Sequence, residues 1–337
     1  MSLKLVSREM AASNHLSSDD RFARWPHVQA WILTCAVFPL LWIGGMVTTY
    51  EAGMSVEDWP TTYGHWFYPI QKWIAGHWDM FLEHGHRTYA QFVGFLAVLA
   101  AAALGMKYQS RGKWLLAAAL LAGVAVQATL GGFRVLWDER LLAKVHGCVA
   151  AAYFGLCSAT VVVTSHRWHN GPFEYLSGAA RARRWGLAIT ALLYLHIVLG
   201  TQLRHNVGGE LPGWFTLWLW LKIISATVAA GAAGFLAFGL LRANESSRLS
   251  RRSRWLFWGI IAQLVLGAAT WLVNYGVPAW FREYLFPWSY AVTAEGFWQV
   301  QVTTAHVAFG SLLFVLSLSI TLWAHRLSAA REQIAHG

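Results

Sequence analysis

His86, His146, Lys222 and His306 are the residues of this chain best suited to chemistry, because each is ionisable and each falls inside a long apolar run. An ionisable side chain at membrane depth is costly and marks a functional site by default. Each lies about six to ten residues from the same end of its run, which is about 9–15 Å along a helix, so all four reach a similar depth. Imidazoles at matched depth on facing helices can supply the two axial ligands of a heme iron, one from each face of the porphyrin. A single histidine in such a run can instead be a packed residue that hydrogen-bonds across helices. The pairing of His86 with His146 argues against that, and His306 has Lys222 where a second imidazole would stand. His196 reads as a packed residue, and His84 and His65 as solvated residues of a polar loop. Lys222 can bind iron only as the neutral amine; alternatively its charge reaches outward along its own stem.

Glu83 lies three residues before His86, on the same helical face. A carboxylate there can orient the imidazole, relay protons or stabilise charge at the porphyrin edge. A di-iron centre would need two Glu-x-x-His motifs, and only one occurs here. Arg87, Arg134, Arg140, Lys144 and Arg204 lie near the same helix ends and are candidates to receive propionates through charge-assisted hydrogen bonds. One turn beyond the four candidate ligands stand Ala90, Ala150, Ala226 and Gly310, small enough to leave room for a macrocycle edge.

Apolar helices must carry these residues. Of 337 residues, 56% are hydrophobic and 12% are charged, too little charge for a water-facing surface. The 21 Trp suit two interfacial aromatic belts. Eight runs reach the roughly 20 residues that span a bilayer, at 28–49, 80–106, 115–134, 140–164, 184–203, 214–241, 255–275 and 296–324. The connections on the side of the termini hold 18 Lys/Arg and those on the opposite side 7, helix ends included, so both termini are expected in the cytoplasm. The net charge of +10 is therefore a topology signal, with no basic soluble face for nucleic acid. Residues 1–27 are polar and show no cleavable signal. Cys35, Cys148 and Cys157 sit in apolar runs and read as small buried hydrophobes.

An internal repeat is also visible. Gln127 with Leu130-Gly131 recurs as Gln263 with Leu266-Gly267, and the same offset of 136 carries His86 onto Lys222. His146 then corresponds to His306. The expected architecture is an all-α polytopic membrane protein of two tandem parallel four-helix bundles: a tail at 1–27, a first half at 28–165, a cytoplasmic linker at 166–183, a second half at 184–325 and a tail at 326–337. Inverted repeats, frequent in secondary transporters, do not fit halves with an even number of spans.

With these residues in place, the chain resembles the heme A synthase family. The resemblance rests on Gly44-Gly45-Met46-Val47-Thr48-Thr49, Ala52-Gly53-Met54-Ser55, Asp58-Trp59-Pro60-Thr61-Thr62-Tyr63-Gly64, Glu83-x-x-His86-Arg87, and Leu130-Gly131-Gly132 followed by His146. It implies an oxidoreductase of cytochrome oxidase assembly, in the cell (inner) membrane, that oxidises the C8 methyl of heme O to the formyl of heme A. By the same resemblance the N-terminal half is catalytic through Glu83, His86 and His146, and the C-terminal half holds a heme b, normally between two histidines. Lys222 departs from that pattern and leaves His306 without the expected partner. Implied partners are heme O as substrate, the farnesyltransferase that makes it and an electron donor; a homo-oligomer is expected, and nucleic acid is not. The non-catalytic alternative is a heme-binding electron-transfer protein or heme carrier.

The basic-residue asymmetry makes a direct prediction. A cytoplasmic reporter fused at Ser110 is active, and one fused at Gly76 or Gly276 is silent; activity at Gly76 would break the eight-span order.

Overall fold

A computed structural model describes residues 23–170, 178–205, 212–242, 248–284 and 290–336. Most of the N-terminal tail, with Lys4, Arg8 and Arg21, lies outside the described residues, as do linker residues 171–177. Among the described residues, eight helices are long and apolar enough to cross a membrane. They are α1 Arg24–Thr49, α2 Trp78–Lys107, α3 Arg111–Leu136, α4 Arg140–Thr164, α5 Ala179–Arg204, α6 Pro212–Arg242, α7 Arg248–Tyr275 and α8 Phe297–His336. The chain is a multi-pass membrane protein of helices, with no strand among the described residues.

Most of these helices overrun the apolar runs that announce them. Without water at membrane depth, a helix keeps every backbone group paired, and its ends continue until the chain meets water. The ends therefore take in basic residues whose stems reach the interface, as Lys107, Arg111 and Arg242 do. α5 begins at Ala179, so Arg181, Arg183 and Arg184 lie on its first turns and not in the linker expected at 166–183. α8 runs on past residue 324 to His336. Pro212 opens α6, where a missing N–H costs nothing. α1 passes through Pro39 without breaking, as neighbouring helices in a membrane allow.

Packing divides the helices into two quartets. α1 packs on α2 and α4, α2 on α3, and α3 on α4; α5 packs on α6 and α8, α6 on α7, and α7 on α8. The quartets meet where α8 lies against α1 and α4, and α4 against α5. Each has its own apolar core. Leu33, Val93, Leu96, Leu104, Leu120 and Phe154 form the first, and Ile189, Leu236, Leu256, Ile260, Leu313 and Ile320 the second. Both cores fill the half of the quartet nearest the termini. The other half holds His86, His146, Lys222 and His306, so side-chain packing gives way to polar groups at one depth.

Large apolar side chains such as Phe92, Phe95, Trp114, Phe235, Trp255 and Trp258 point outward, toward lipid. The cysteines divide differently from the sequence reading. Cys157 is buried, Cys148 is half-buried with its sulfur 3.3 Å from Thr201 Oγ1, and Cys35 is exposed on the lipid-facing surface of α1. One face of a lipid-bathed helix is as apolar as the other, so an apolar run cannot say which residues turn inward.

Hydroxyls and small residues set the close approaches. The Thr190 hydroxyl lies 2.8 Å from Ser317 Oγ and 3.1 Å from Thr321 Oγ1, joining α5 to α8. A Cβ on Gly186 would stand 2.8 Å from Thr321 Oγ1. Enlarging a close-packed site costs about 1–3 kcal/mol. Gly186→Leu is therefore expected to lower the thermal midpoint of the detergent-solubilised protein by several degrees; an unchanged midpoint would place α5 farther from α8.

Candidate functional site

Each candidate ligand is set against a glycine of the neighbouring helix. A Cβ on Gly44 of α1 would lie 3.1 Å from His86 Cε1, and one on Gly131 of α3 would lie 3.2 Å from His146 Cε1. In the second quartet a Cβ on Gly267 of α7 would lie 3.2 Å from His306 Cε1, and one on Gly200 of α5 would lie 2.8 Å from Lys222 Nζ. Those separations are tighter than ordinary Cβ contacts, so a side chain at any of these glycines would push on the ligand side chain. Each ligand side chain rests on the backbone of the next helix. Lys222 Nζ is set against the backbone of α5 at Gly200 in this way.

Gln127 Nε2 donates to the His146 carbonyl at 3.2 Å, and Gln263 Nε2 donates to the His306 carbonyl at 2.8 Å. These amides, visible in the sequence only as repeat markers, brace the turn that carries each histidine. Gly310 serves this brace: a Cβ there would stand 2.9 Å from Gln263 Nε2. The space one turn beyond His306 thus belongs to the glutamine and not to a macrocycle edge.

The Nδ1 atoms of His86, His146 and His306 are shut off from solvent and have no hydrogen-bond partner. A buried polar atom without a partner costs about 1–3 kcal/mol, and these three lie at one depth, two of them, His146 and His306, in corresponding places of the repeat. His86 and His146 as whole residues are half-buried. The residues present fit a heme: neutral imidazoles with uncommitted nitrogens at one depth, held by backbone cradles that a methyl group would fill.

Glu83 is 2% exposed and does not bond to His86. Its Oε2 accepts the Val56 N–H at 2.9 Å, and its Oε1 pairs with Arg87 Nη2 at 2.7 Å. Arg87 in turn donates to the carbonyls of Asp58 (2.6 Å), Val56 (2.7 Å) and Thr61 (3.3 Å). Of the roles open to Glu83 in the sequence, orienting the imidazole is not the one seen. Together Glu83 and Arg87 clamp the loop between α1 and α2. Arg87 commits its terminal nitrogens to that loop and to Glu83, and so anchors the loop. Arg134 Nη2 donates to the Gly53 carbonyl at 3.0 Å, and a Cβ on Gly53 would collide with the guanidinium. Arg204 reaches across to α1, donating to the Gly45 carbonyl at 2.5 Å and to the Thr49 hydroxyl.

The loop itself is built on Asp58. Its Oδ1 accepts the Tyr63 N–H at 2.7 Å, and its Oδ2 accepts the Gly64 N–H at 2.9 Å and the Thr61 hydroxyl. The chain turns through positive φ at Tyr63 and Gly64. Trp59 lies so closely on Gly132 of α3 that a side chain there would overlap the indole. His84, expected to be solvated, is half-buried under this loop, its Nδ1 3.0 Å from Thr62 Oγ1 and its ring between Tyr68 and Trp73. His65 is exposed, as expected. His196 bonds across helices to Ser225 Oγ at 3.0 Å. The glycine cradles went unread in the sequence; Gly131 and Gly267 were visible in the repeat, whereas Gly44 and Gly200 sit at a different offset.

Compared with known protein families, residues 27–212 match COX15-CtaA, described as cytochrome oxidase assembly protein. No curated protein matches the chain.

Partial burial raises the Asp58 carboxyl, but hydrogen bonds from Gly64, Thr61 and Tyr63 outweigh it and hold the group below the ordinary aspartate value. A depressed folded value contributes stability above the unfolded value and loses it as pH falls through the folded one. Amide protection at Tyr63 and Gly64, corrected for intrinsic exchange, is expected to hold from neutral pH to the ordinary aspartate range and to fail below it. Asp58→Asn removes the pH dependence; persistence of that dependence would assign it to another group.

Proposed function

Because the chain belongs to the COX15-CtaA family of cytochrome oxidase assembly proteins, we propose that it is a heme A synthase, oxidising the C8 methyl of heme O to a formyl group. The observation that carries this reading is the pair His86 and His146, each cradled on a glycine of the next helix and each with an unpartnered Nδ1. On this reading the N-terminal quartet binds heme O, with His86 and His146 at its iron, and the C-terminal quartet holds heme b through His306. Bound heme supplies the redox-active iron for the oxidation.

The chain's own residues bind, orient and shield. The glycine cradles and the Gln127 amide fix the two ligand-bearing turns. Glu83 and Arg87 hold loop residues 56–61 over the end of α2, and Trp59 seals that loop onto α3. Arg134, anchored at Gly53, keeps a cation at the loop edge, where a propionate would be matched by charge. Excluding water protects a reactive intermediate from side reactions, which is the role assigned to this loop.

The two quartets are read as a tandem duplication with both termini in the cytoplasm and the loop at 50–77 on the outer side of the cell membrane. Four glycine–ligand pairs in corresponding places support the duplication, and the asymmetry of basic residues supports the orientation.

His86→Ala and His146→Ala are each expected to abolish heme A formation in a strain lacking its own synthase while the protein still inserts. Glu83→Gln is expected to cut heme A yield by tenfold or more with heme content little changed, because it loosens the loop and leaves the ligands. Extracted hemes, identified by mass, provide the readout. Full-length protein that binds heme but never yields hydroxylated or formylated product would be a carrier or electron-transfer protein.

A further inference from the structure

His306 lacks an imidazole partner on α6, because Lys222 occupies the position corresponding to His86. The structure places a different imidazole beside it. The rings of His196 on α5 and His306 on α8 have centroids 6.5 Å apart and planes at 74°. Metal–imidazole bonds run about 2 Å, so two imidazoles sharing one axis through a metal stand with centroids roughly 6 Å apart. Any angle between the planes is compatible with that axis.

The hydrogen bonding of His196 points to the nitrogen that is available. Ser225 Oγ lies 2.9 Å from the Lys222 carbonyl and 3.0 Å from His196 Nδ1. With its one proton on that carbonyl, the hydroxyl oxygen accepts from His196 Nδ1. The proton of a neutral His196 is then on Nδ1, and Nε2 carries the lone pair. A metal-binding histidine is oriented in this way, by a hydrogen bond from the nitrogen that does not bind. His306 contributes an Nδ1 with no partner of its own.

The internal repeat shows how this arrangement differs from the first quartet. The offset that pairs His86 with Lys222 pairs Tyr89 with Ser225, and the offset that pairs Gly44 with Gly200 pairs Leu40 with His196. In the second quartet an imidazole has replaced an aliphatic side chain one turn from the glycine cradle, and a small hydroxyl has replaced a bulky phenol opposite it. Lys222 Nζ meanwhile rests on the backbone at Gly200. The three substitutions compensate one another: the ligand lost from α6 reappears on α5, with the hydroxyl needed to orient it.

Resting on the heme-site reading above, we propose that His196 and His306 are the axial ligands of the C-terminal heme, and that Lys222 is not. The test uses the full-length protein in detergent, with His86→Ala and His146→Ala combined to leave the second site alone. Ferric heme in this background is expected to be low-spin and six-coordinate by absorption and electron paramagnetic resonance. Lys222→Met keeps it low-spin. His196→Leu, which restores the side chain of the first quartet, and His196→Ala convert it to a high-spin form that binds carbon monoxide on reduction. Added imidazole returns His196→Ala to low spin, which shows that the variant is folded. Ser225→Ala leaves the heme bound but shifts its reduction potential. High-spin heme before any change at His196 would overturn the proposal, as would conversion by Lys222→Met and not by the His196 variants, or absence of heme from the second site. A protein with this spectroscopic pattern that makes no heme A would overturn the synthase reading alone.

Discussion

Polar groups that cannot meet water must meet one another, and the rest of this fold follows from that constraint. Between the interfaces the backbone is paired within helices, and threonine and serine hydroxyls fold back onto carbonyls four residues earlier, as at Thr34, Thr48, Thr190 and Thr321. Amides follow the same rule, Gln127 and Gln263 donating to the carbonyl of a histidine on the next helix. Among the buried polar atoms left without a hydrogen-bond partner, which also include Tyr153 Oη, Gln263 Oε1 and Trp271 Nε1, the Nδ1 atoms of His86, His146 and His306 share a depth and a setting. A membrane interior tolerates such groups where a bound molecule completes them. The glycines facing them are part of the same solution, since only a bare backbone lets an imidazole edge come so near the adjacent helix.

What the sequence made legible depended on whether a signal was local. Spans and candidate ligands could be read because hydropathy and an ionisable residue within it are properties of a single stretch. The repeated motif was legible because Gln127 and Gln263 keep a fixed offset. Roles that depend on a partner far along the chain were not. Arg87 reads in the sequence as a cation at a helix end, and its terminal nitrogens reach carbonyls of a loop about thirty residues earlier, which its position alone does not announce. Glu83 stands three residues before His86 in the sequence, but its partners are Val56 and Arg87. Cys35 shows a second limit, because lipid-facing and core-facing positions share one composition in a helix apolar all round.

The quartets are joined at the depth of the candidate ligands. Arg204 of α5 holds the Gly45 carbonyl and the Thr49 hydroxyl of α1, one residue beyond the Gly44 cradle. Thr304 of α8 touches Gly45 from the other side, two residues before His306. Thr201 of α5 meets Cys148 of α4, two residues after His146, and the Tyr194 hydroxyl donates to the Cys148 carbonyl at 3.3 Å. Each contact links a residue next to one ligand or cradle with a residue of the other quartet. Displacing a ligand-bearing turn on one side therefore strains its counterpart.

The covers over the two ends separate the roles assigned to the halves. Over the first quartet the segment from Ala52 to Gly64 is fixed at many points: Glu83 and Arg87 from α2, Arg134 and Gly132 from α3, and Asp58 within the loop. These anchors come from the helices that carry His86 or precede His146, so the loop cannot shift without disturbing the ligand-bearing helices. At the corresponding end of the second quartet the described contacts are side-chain amides: Asn274 Nδ2 donates to Thr303 Oγ1 at 2.9 Å, and Gln299 Nε2 donates to Asn274 Oδ1 at 3.2 Å. Those amides carry no charge. Oxidation of a methyl carbon calls for fixed charge and exclusion of water around the reacting edge, whereas holding an electron-transfer heme calls for two firm axial ligands and a low-polarity surround. On the proposed reading, the Asp58–Glu83–Arg87–Arg134 cluster meets the first requirement over one quartet, and His196 beside His306 meets the second within the other.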